Sequence, residues 1–194
     1  MAYATVNELL DRMGHPTATN AAMLARLESA LDAATTAIDR DTGRTFSPII
    51  ATKLFAADDP TVLPVPDLVS VTTLTVDDDD DGVFETTIAA SGYELDTFST
   101  VDGWPYEMIS LLDRSWPSAG RRRRRIQIAG SWGWSAVPAP INQACTLLAS
   151  RVAKRSSAAV FGVESFGDAG AAMIRTNDPD YRHLIGPYQR PLVA

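Results

Sequence analysis

Five consecutive carboxylates, Asp77, Asp78, Asp79, Asp80 and Asp81, stand directly before Gly82. Alternating carboxylates followed by a glycine turn form the first half of a calcium loop, because a hard cation takes oxygen ligands and the glycine lets the chain wrap it. Asp77, Asp79 and Asp81 are the metal candidates on that reading. The twelfth position of such a loop, where a bidentate Glu belongs, is Ile88, and Glu85 stands where only a secondary ligand would. The flanks, Val69-Ser70-Val71-Thr72-Thr73-Leu74-Thr75-Val76 and Val83-Phe84-Glu85-Thr86-Thr87-Ile88, have the β-branched character of strands instead of helices. The competing reading is therefore the solvated tip of a β-hairpin, with counter-charge required close to the five acids.

Arg121, Arg122, Arg123, Arg124 and Arg125 form the opposite run. It can supply that counter-charge from the same or a neighbouring subunit, or touch DNA or an acidic partner. The plainer reading is an exposed, solvated loop entering a strand, with alternate arginines on opposite faces. No aromatic residue interleaves the run, so a platform for stacking single-stranded bases is not supported. Trp132 and Trp134 flank Gly133; they read as an aromatic ligand cage or as a packing hinge, one ring inside and one near an interface.

Catalytic and cofactor signatures are missing. The single cysteine, Cys145, falls on an apolar helix face as a small hydrophobe, and it excludes an intrachain disulfide. With His15 and His183 far apart, a transition-metal site has almost nothing to be built from. There is no Gly-x-Ser-x-Gly elbow, and Gly162, Gly167 and Gly170 lack a following Lys-Ser/Thr, so no phosphate loop results. The chain reads as a protein without a reaction and without a cofactor.

Composition narrows the class further. Of 194 residues 45% are hydrophobic and 21% charged, which fits one folded domain with a real core. No apolar run approaches the ~20 residues that span a bilayer. The first eight residues have neither a basic start nor an apolar stretch, so no secretory signal is expected and folding in a cytoplasm is. The net charge is −7, and removing both charge runs leaves twelve bases against nineteen acids, the same −7. Proteins that grip DNA phosphates carry basic surfaces, so this one tolerates DNA nearby instead of holding it.

The elements that must position these residues follow from periodicity and caps. Thr5 with Glu8 makes a capping box for a first helix at about 5–13, ended by Gly14. Leu24, Leu27, Leu31, Ala34 and Ile38 form one stripe of a second helix at about 20–41, which Gly43 stops. Strands are expected within 45–55, 69–76, 83–89 and 125–129, with shorter ones at 93–95 and near 104–109. Pro138 and Pro140 start a helix at about 140–155, with Ile141, Cys145, Leu148 and Val152 buried and Arg151, Lys154 and Arg155 in its last turns. Residues 156–170 read as a mobile loop, Asp178-Pro179 opens a short helix at about 179–185, and 187–194 is a tail with no partner of its own. The fold class is α+β: a helical bundle from both ends of a single domain spanning 1–194, with a small antiparallel sheet or hairpin in the strand-rich insertion at about 45–134.

Four segments then fall in a telling order: Ala37-Ile38-Asp39-Arg40-Asp41-Thr42-Gly43-Arg44-Thr45-Phe46; Leu63-Pro64-Val65-Pro66-Asp67-Leu68-Val69-Ser70-Val71; Gly130-Ser131-Trp132-Gly133-Trp134 running into Val137-Pro138-Ala139-Pro140-Ile141; and Asp178-Pro179-Asp180-Tyr181. In this order they resemble the head-tail connector (adaptor) proteins of long-tailed bacteriophages. The resemblance implies a structural virion protein, made in the host bacterial cytoplasm and located at the head-tail interface. Its partners would be itself, in a ring of commonly twelve subunits, the portal protein, and a downstream stopper or tail-terminator protein. Genomic DNA would pass through the lumen without specific binding, and no membrane is involved. The chain departs from the smallest such connectors in its larger strand-rich middle. Candidate subunit or partner contacts are Arg121, Arg122, Arg123, Arg124, Arg125, Trp132, Trp134, Tyr188 and Arg190. A tail-terminator or stopper role, a calcium-dependent binding module and a DNA-binding accessory role are the alternatives.

Overall fold

The computed structural model describes residues 2–15, 20–99, 101, 103–118, 120, 124–160 and 178–190, the side chains of 155–160 excepted. The chain divides into two compact units, Met1–Arg44 with Val137–Ala194, and Thr45–Ala136. The first holds helices α1 (Val6–Met13), α2 (Ala21–Thr42), α3 (Ala139–Val160) and α4 (Pro179–Ile185). The second holds strands β1 (Ile49–Phe55), β2 (Val62–Val76), β3 (Thr86–Thr87), β4 (Tyr93–Asp96), β5 (Tyr106–Leu111) and β6 (Ile126–Trp132). The class is α+β, and every strand pair is antiparallel.

The helical unit forms because its helices are well begun and carry narrow apolar stripes. Thr5 and Glu8 close the capping box of α1 reciprocally. In α2 the buried stripe is Leu27, Ala30, Leu31, Ala34 and Ile38, while Leu24, expected in that stripe, is 40% exposed. Helix α3 answers with buried Ile141, Ala144, Cys145, Ala149 and Ala153. Small residues on both stripes let the two axes approach, and Thr35 Oγ1 lies 3.7 Å from Cys145 Sγ where they meet. Each fully buried Leu or Ile here contributes about 1.5–3 kcal/mol.

Polar contacts then fix the chain ends to this bundle. The Tyr3 amide donates to Thr35 Oγ1 at 3.2 Å, its hydroxyl donates to the Asp39 carboxylate, and Asn142 Nδ2 donates to its carbonyl at 3.0 Å. Burial pushes the Asp39 carboxyl above its usual range. Helix α3 runs to Val160, so residues 156–160 are helical and none of Arg151, Lys154 and Arg155 is in its last turn. The rest of the expected loop, 161–170, lies outside the described residues.

In the second unit the strand order is β1-β6-β2-β5-β4, with β3 on β2. Strand β2 is fifteen residues long because it serves two neighbours in turn. Its first part pairs with β5 up to Pro64, its last part pairs with β6, and Leu68 lies opposite both Tyr106 and Trp132. The changeover falls at Pro64-Val65-Pro66, where missing N–H groups cannot continue a ladder. Leu63, Leu68, Leu74, Val76, Ile126 and Ile128 make the core of this unit. The other face of β1, β6 and β2 carries three cross-strand rows: Ile50, Ser131 and Ser70; Thr52, Ala129 and Thr73; Leu54, Gln127 and Thr75.

Gly130 sits in β6 between Ala51 and Val71. A Cβ there would lie 2.3 Å from the Ser70 carbonyl oxygen, so only glycine permits this strand spacing. Gly130→Ala should cost about 2–3 kcal/mol through forced separation of β6 from β2. Gly186→Ala, with φ −52 and open space around it, should stay within about 0.5 kcal/mol of the parent. Urea midpoints of the two variants give the comparison, and equal midpoints would contradict the packing argument.

Candidate functional site

The acidic run is the tip between β2 and β3, and the two strands pair only at Thr75 with Thr87 and Val76 with Thr86. The tip is held by an arginine lock. Asp77 is fully buried; its carboxylate accepts from the Asp80 amide at 2.7 Å and from the Gly82 amide at 2.9 Å. Arg125 donates through Nε to the Asp77 carbonyl at 2.9 Å, through Nη2 to the Asp78 carbonyl at 2.7 Å, and through Nη1 to the Ser118 carbonyl at 3.0 Å. The Asp77 amide returns a bond to the Arg125 carbonyl at 3.0 Å. Asp80 takes a left-handed φ of 64°, a conformation aspartate tolerates through local hydrogen bonding.

The counter-charge that five adjacent acids require therefore comes from within the chain. Arg114 forks onto the Asp78 carboxylate, and that hydrogen-bonded guanidinium holds the carboxyl below its ordinary value of 3.8. Arg125, expected among the exposed partner contacts, is half-buried and makes three hydrogen bonds to backbone carbonyls of its own chain. Arg124 is exposed, and Arg121, Arg122 and Arg123 lie outside the described residues. The remaining carboxylates converge: one oxygen from each of Asp77, Asp79, Asp81 and Glu85 lies within 4.8 Å of the others. Glu85, discounted by the twelve-residue template, completes this group because the hairpin closes after nine positions, not twelve. Ile88 packs against the core of the sheet.

The tryptophan pair is a different matter. Trp132 and Trp134 are 2% and 5% exposed, so both rings are covered by this chain itself. Trp132 donates to the Ala51 carbonyl at 2.8 Å, stacks on Phe55 at 5.5 Å and carries Lys53 Nζ over its ring at 4.3 Å. Trp134 packs on Phe46 at 5.2 Å and edge-on to Trp104 at 4.8 Å. Gly133 between them has φ +95°, and a Cβ there would meet the Ser47 carbonyl oxygen at 2.3 Å. The motif is a turn wedged against backbone, with its rings as the wedge.

In the helical unit the C-terminal segment, expected to have no partner of its own, is tied down as far as Arg190. Tyr181 donates to the Asp41 carboxylate at 3.0 Å, and burial pushes its hydroxyl well above the usual range. Arg44 Nε donates to the Tyr188 carbonyl at 2.9 Å, Gln189 Nε2 to the Asp41 carbonyl at 3.2 Å, and the Arg190 amide to the Thr42 carbonyl at 3.0 Å. These last two satisfy carbonyls that the end of α2 leaves open. Arg151 pairs with Asp178 at the start of α4.

Three solved assemblies contain chains of similar fold. The chain is similar to one in the neck of an empty GTA particle computed with C6 symmetry: TM-score 0.60, 24% identity, 99% of this chain and 93% of that one. It is similar to one in the neck of a native GTA particle computed with C12 symmetry, at TM-score 0.52, 24% identity and coverage of 99% and 92%. A third likeness, in the virion of a native gene transfer agent particle, has TM-score 0.51 at 24% identity and covers 99% of this chain and 93% of that one. Likeness at this identity shows a shared fold. No protein-family model and no curated protein matches the chain.

The lock and the fork should separate on mutation. Arg114→Ala removes an ion pair whose two side chains are 36% and 37% exposed, so it should cost less than about 1 kcal/mol. Arg125→Ala strands three carbonyls and should cost about 2–3 kcal/mol. Because the Asp78 pKa is depressed, its contribution is present above 3.8 and lost as pH falls through the lowered folded value. Arg114→Ala should therefore flatten that acid limb in urea melts taken across pH, and an unchanged limb would refute the assignment.

Proposed function

We propose that this chain is a structural neck protein of a phage-like particle, one copy in a ring that joins the capsid portal to the next neck component and surrounds the DNA path. The observation that carries this reading is the fold likeness to a chain of a particle neck, over 99% of this chain and 93% of the other. Likeness along both whole chains involves helices, sheet and their order together, whereas a shared fragment would say little. The ordered segments that resemble head-tail connectors support the same role. A ring of twelve copies is the stoichiometry we favour, in line with the C12 symmetry applied to one of those necks.

The physical features suit such a part. A body of net charge −7 repels the polyanion, so DNA slides past instead of adhering. The arginine lock and the wedged tryptophan turn hold loops in fixed positions, as a part repeated around an axis requires. A stopper or tail-terminator role is the nearest rival within the same neck.

A second reading, a calcium-dependent binding module, is favoured by one observation: the four carboxylates that meet within 4.8 Å at the hairpin tip. On that reading millimolar calcium raises the melting temperature by several degrees over chelator, as binding at about a hundred times Kd contributes ~2.7 kcal/mol, and Glu85→Gln removes most of the rise. Identical melts in calcium and chelator discard it.

The neck reading is tested by electron microscopy of the chain mixed with the portal protein of the same particle. The expected result is a closed ring of density on the portal. Absence of any complex, or purified particles without this chain, would overturn the proposal. Duplex DNA affinity that falls steeply with salt would point to a DNA-binding accessory protein instead.

A further inference from the structure

The outer face of β1, β6 and β2 is anomalous for this protein. The chain carries 41 charged side chains by its counts of 17 bases and 24 acids. None of them falls in the three cross-strand rows, which hold only Ser, Thr, Gln, Ala and two aliphatic residues. The aliphatic pair stands proud at the free side of β1: Ile50 is 90% exposed and Leu54 41%. Strands at a sheet edge ordinarily carry Lys, Pro or another device against association; the Lys53 of β1 lies over the Trp132 ring on the opposite face, and on this face β1 presents Ile50, Thr52 and Leu54.

We propose that this charge-free face is where a second copy of the same chain docks. The occupant follows from charge. Two copies at −7 each repel, and a contact that covered carboxylates would bury them without partners. A face free of acids lets an acidic chain meet itself while every carboxylate stays solvated, and this three-strand face is one. The proposal deepens the ring reading, since every copy of a ring touches two others through unlike patches. Three strands about 4.8 Å apart and three rows about 7 Å apart give a patch of roughly 150–250 Å², against the ~800 Å² per partner of a standard interface. Copies therefore meet weakly in pairs and firmly only when a ring supplies many contacts at once.

The test is photo-crosslinking from a benzophenone side chain placed at Thr52, in the middle row, using the full chain at about 1 mM so that weak pairs populate. The expected product is covalent dimer, with little from the same group at Asp59, exposed and off the face. Adding Ile50→Asp should lower the yield at least about tenfold, equivalent to 1.4 kcal/mol, while circular dichroism stays unchanged because Ile50 packs on almost nothing. No dimer from position 52, equal yield from position 59, or full yield with Ile50→Asp would each overturn the proposal. Rings on the portal formed normally by Ile50→Asp would also overturn it and leave the neck reading standing. Crosslinks from position 52 in a chain that never binds a portal would do the opposite.

Discussion

The sheet unit depends on the spacing of one strand. β6 lies between β1 and β2, and at Gly130 the Ser70 carbonyl approaches to where a side chain would begin. That approach lets Ile126, Ile128 and Trp132 share one buried face with Leu74 and Val76. The two ends of the same strand carry the other fixed points of the unit. Arg125 precedes it and locks the acidic tip; Trp132, Gly133 and Trp134 close it and wedge the turn against Ser47. A shift of β6 by one residue would expose its whole apolar row and release both ends together. The tip and the turn are therefore consequences of one register.

The helical unit solves a different problem, a long helix whose end would otherwise leave carbonyls open. α2 closes on the left-handed Gly43, and the segment that follows α4 comes back to donate to the Asp41 and Thr42 carbonyls. Tyr181 and Arg44 add one bond each from opposite sides of that junction. The contacts are individually worth about 1 kcal/mol, but they share one small area, so the last helix gains a fixed place although only Ile185 of its side chains is buried.

Much of this was legible in the residues, and what was not has physical causes. The helix starts were readable because Thr5 with Glu8 and Asp178 before Pro179 are local signals that answer to local hydrogen bonds. Gly43 was readable for the same reason. The first half of β2 was hidden by Pro64 and Pro66, which forbid a continuous ladder yet sit where β2 changes neighbours. Residues 156–160 read as loop because they are small, although Ser-Ser-Ala-Ala-Val costs a helix little. Nothing within five arginines reveals which one is committed to carbonyls 47 and 48 residues upstream; that belongs to the register of β6 on β2. The contact from Arg44 to Tyr188 spans 144 residues and has no local trace at all. Glu85 comes close to Asp77, Asp79 and Asp81 because the loop is a nine-residue hairpin tip between strands, a geometry that the spacing of a helix-flanked loop does not describe.

The distribution of charge ties these observations to assembly. Several arginines are used within the chain: Arg125 on carbonyls, Arg114 on Asp78, Arg151 on Asp178. Such pairs fix loops within one copy and leave the acidic excess facing outward. A protein of this kind gains little by meeting its neighbours through ion pairs, since desolvating carboxylates costs more than exposed partners return. If it assembles as proposed, it gains instead from fixed shapes and a neutral sheet face, with its surplus negative charge keeping polyanions at a distance. On the ring reading proposed above, the surplus that weakens the meeting of two free copies also keeps DNA from sticking to the assembled ring, so one property of the composition would serve both stages.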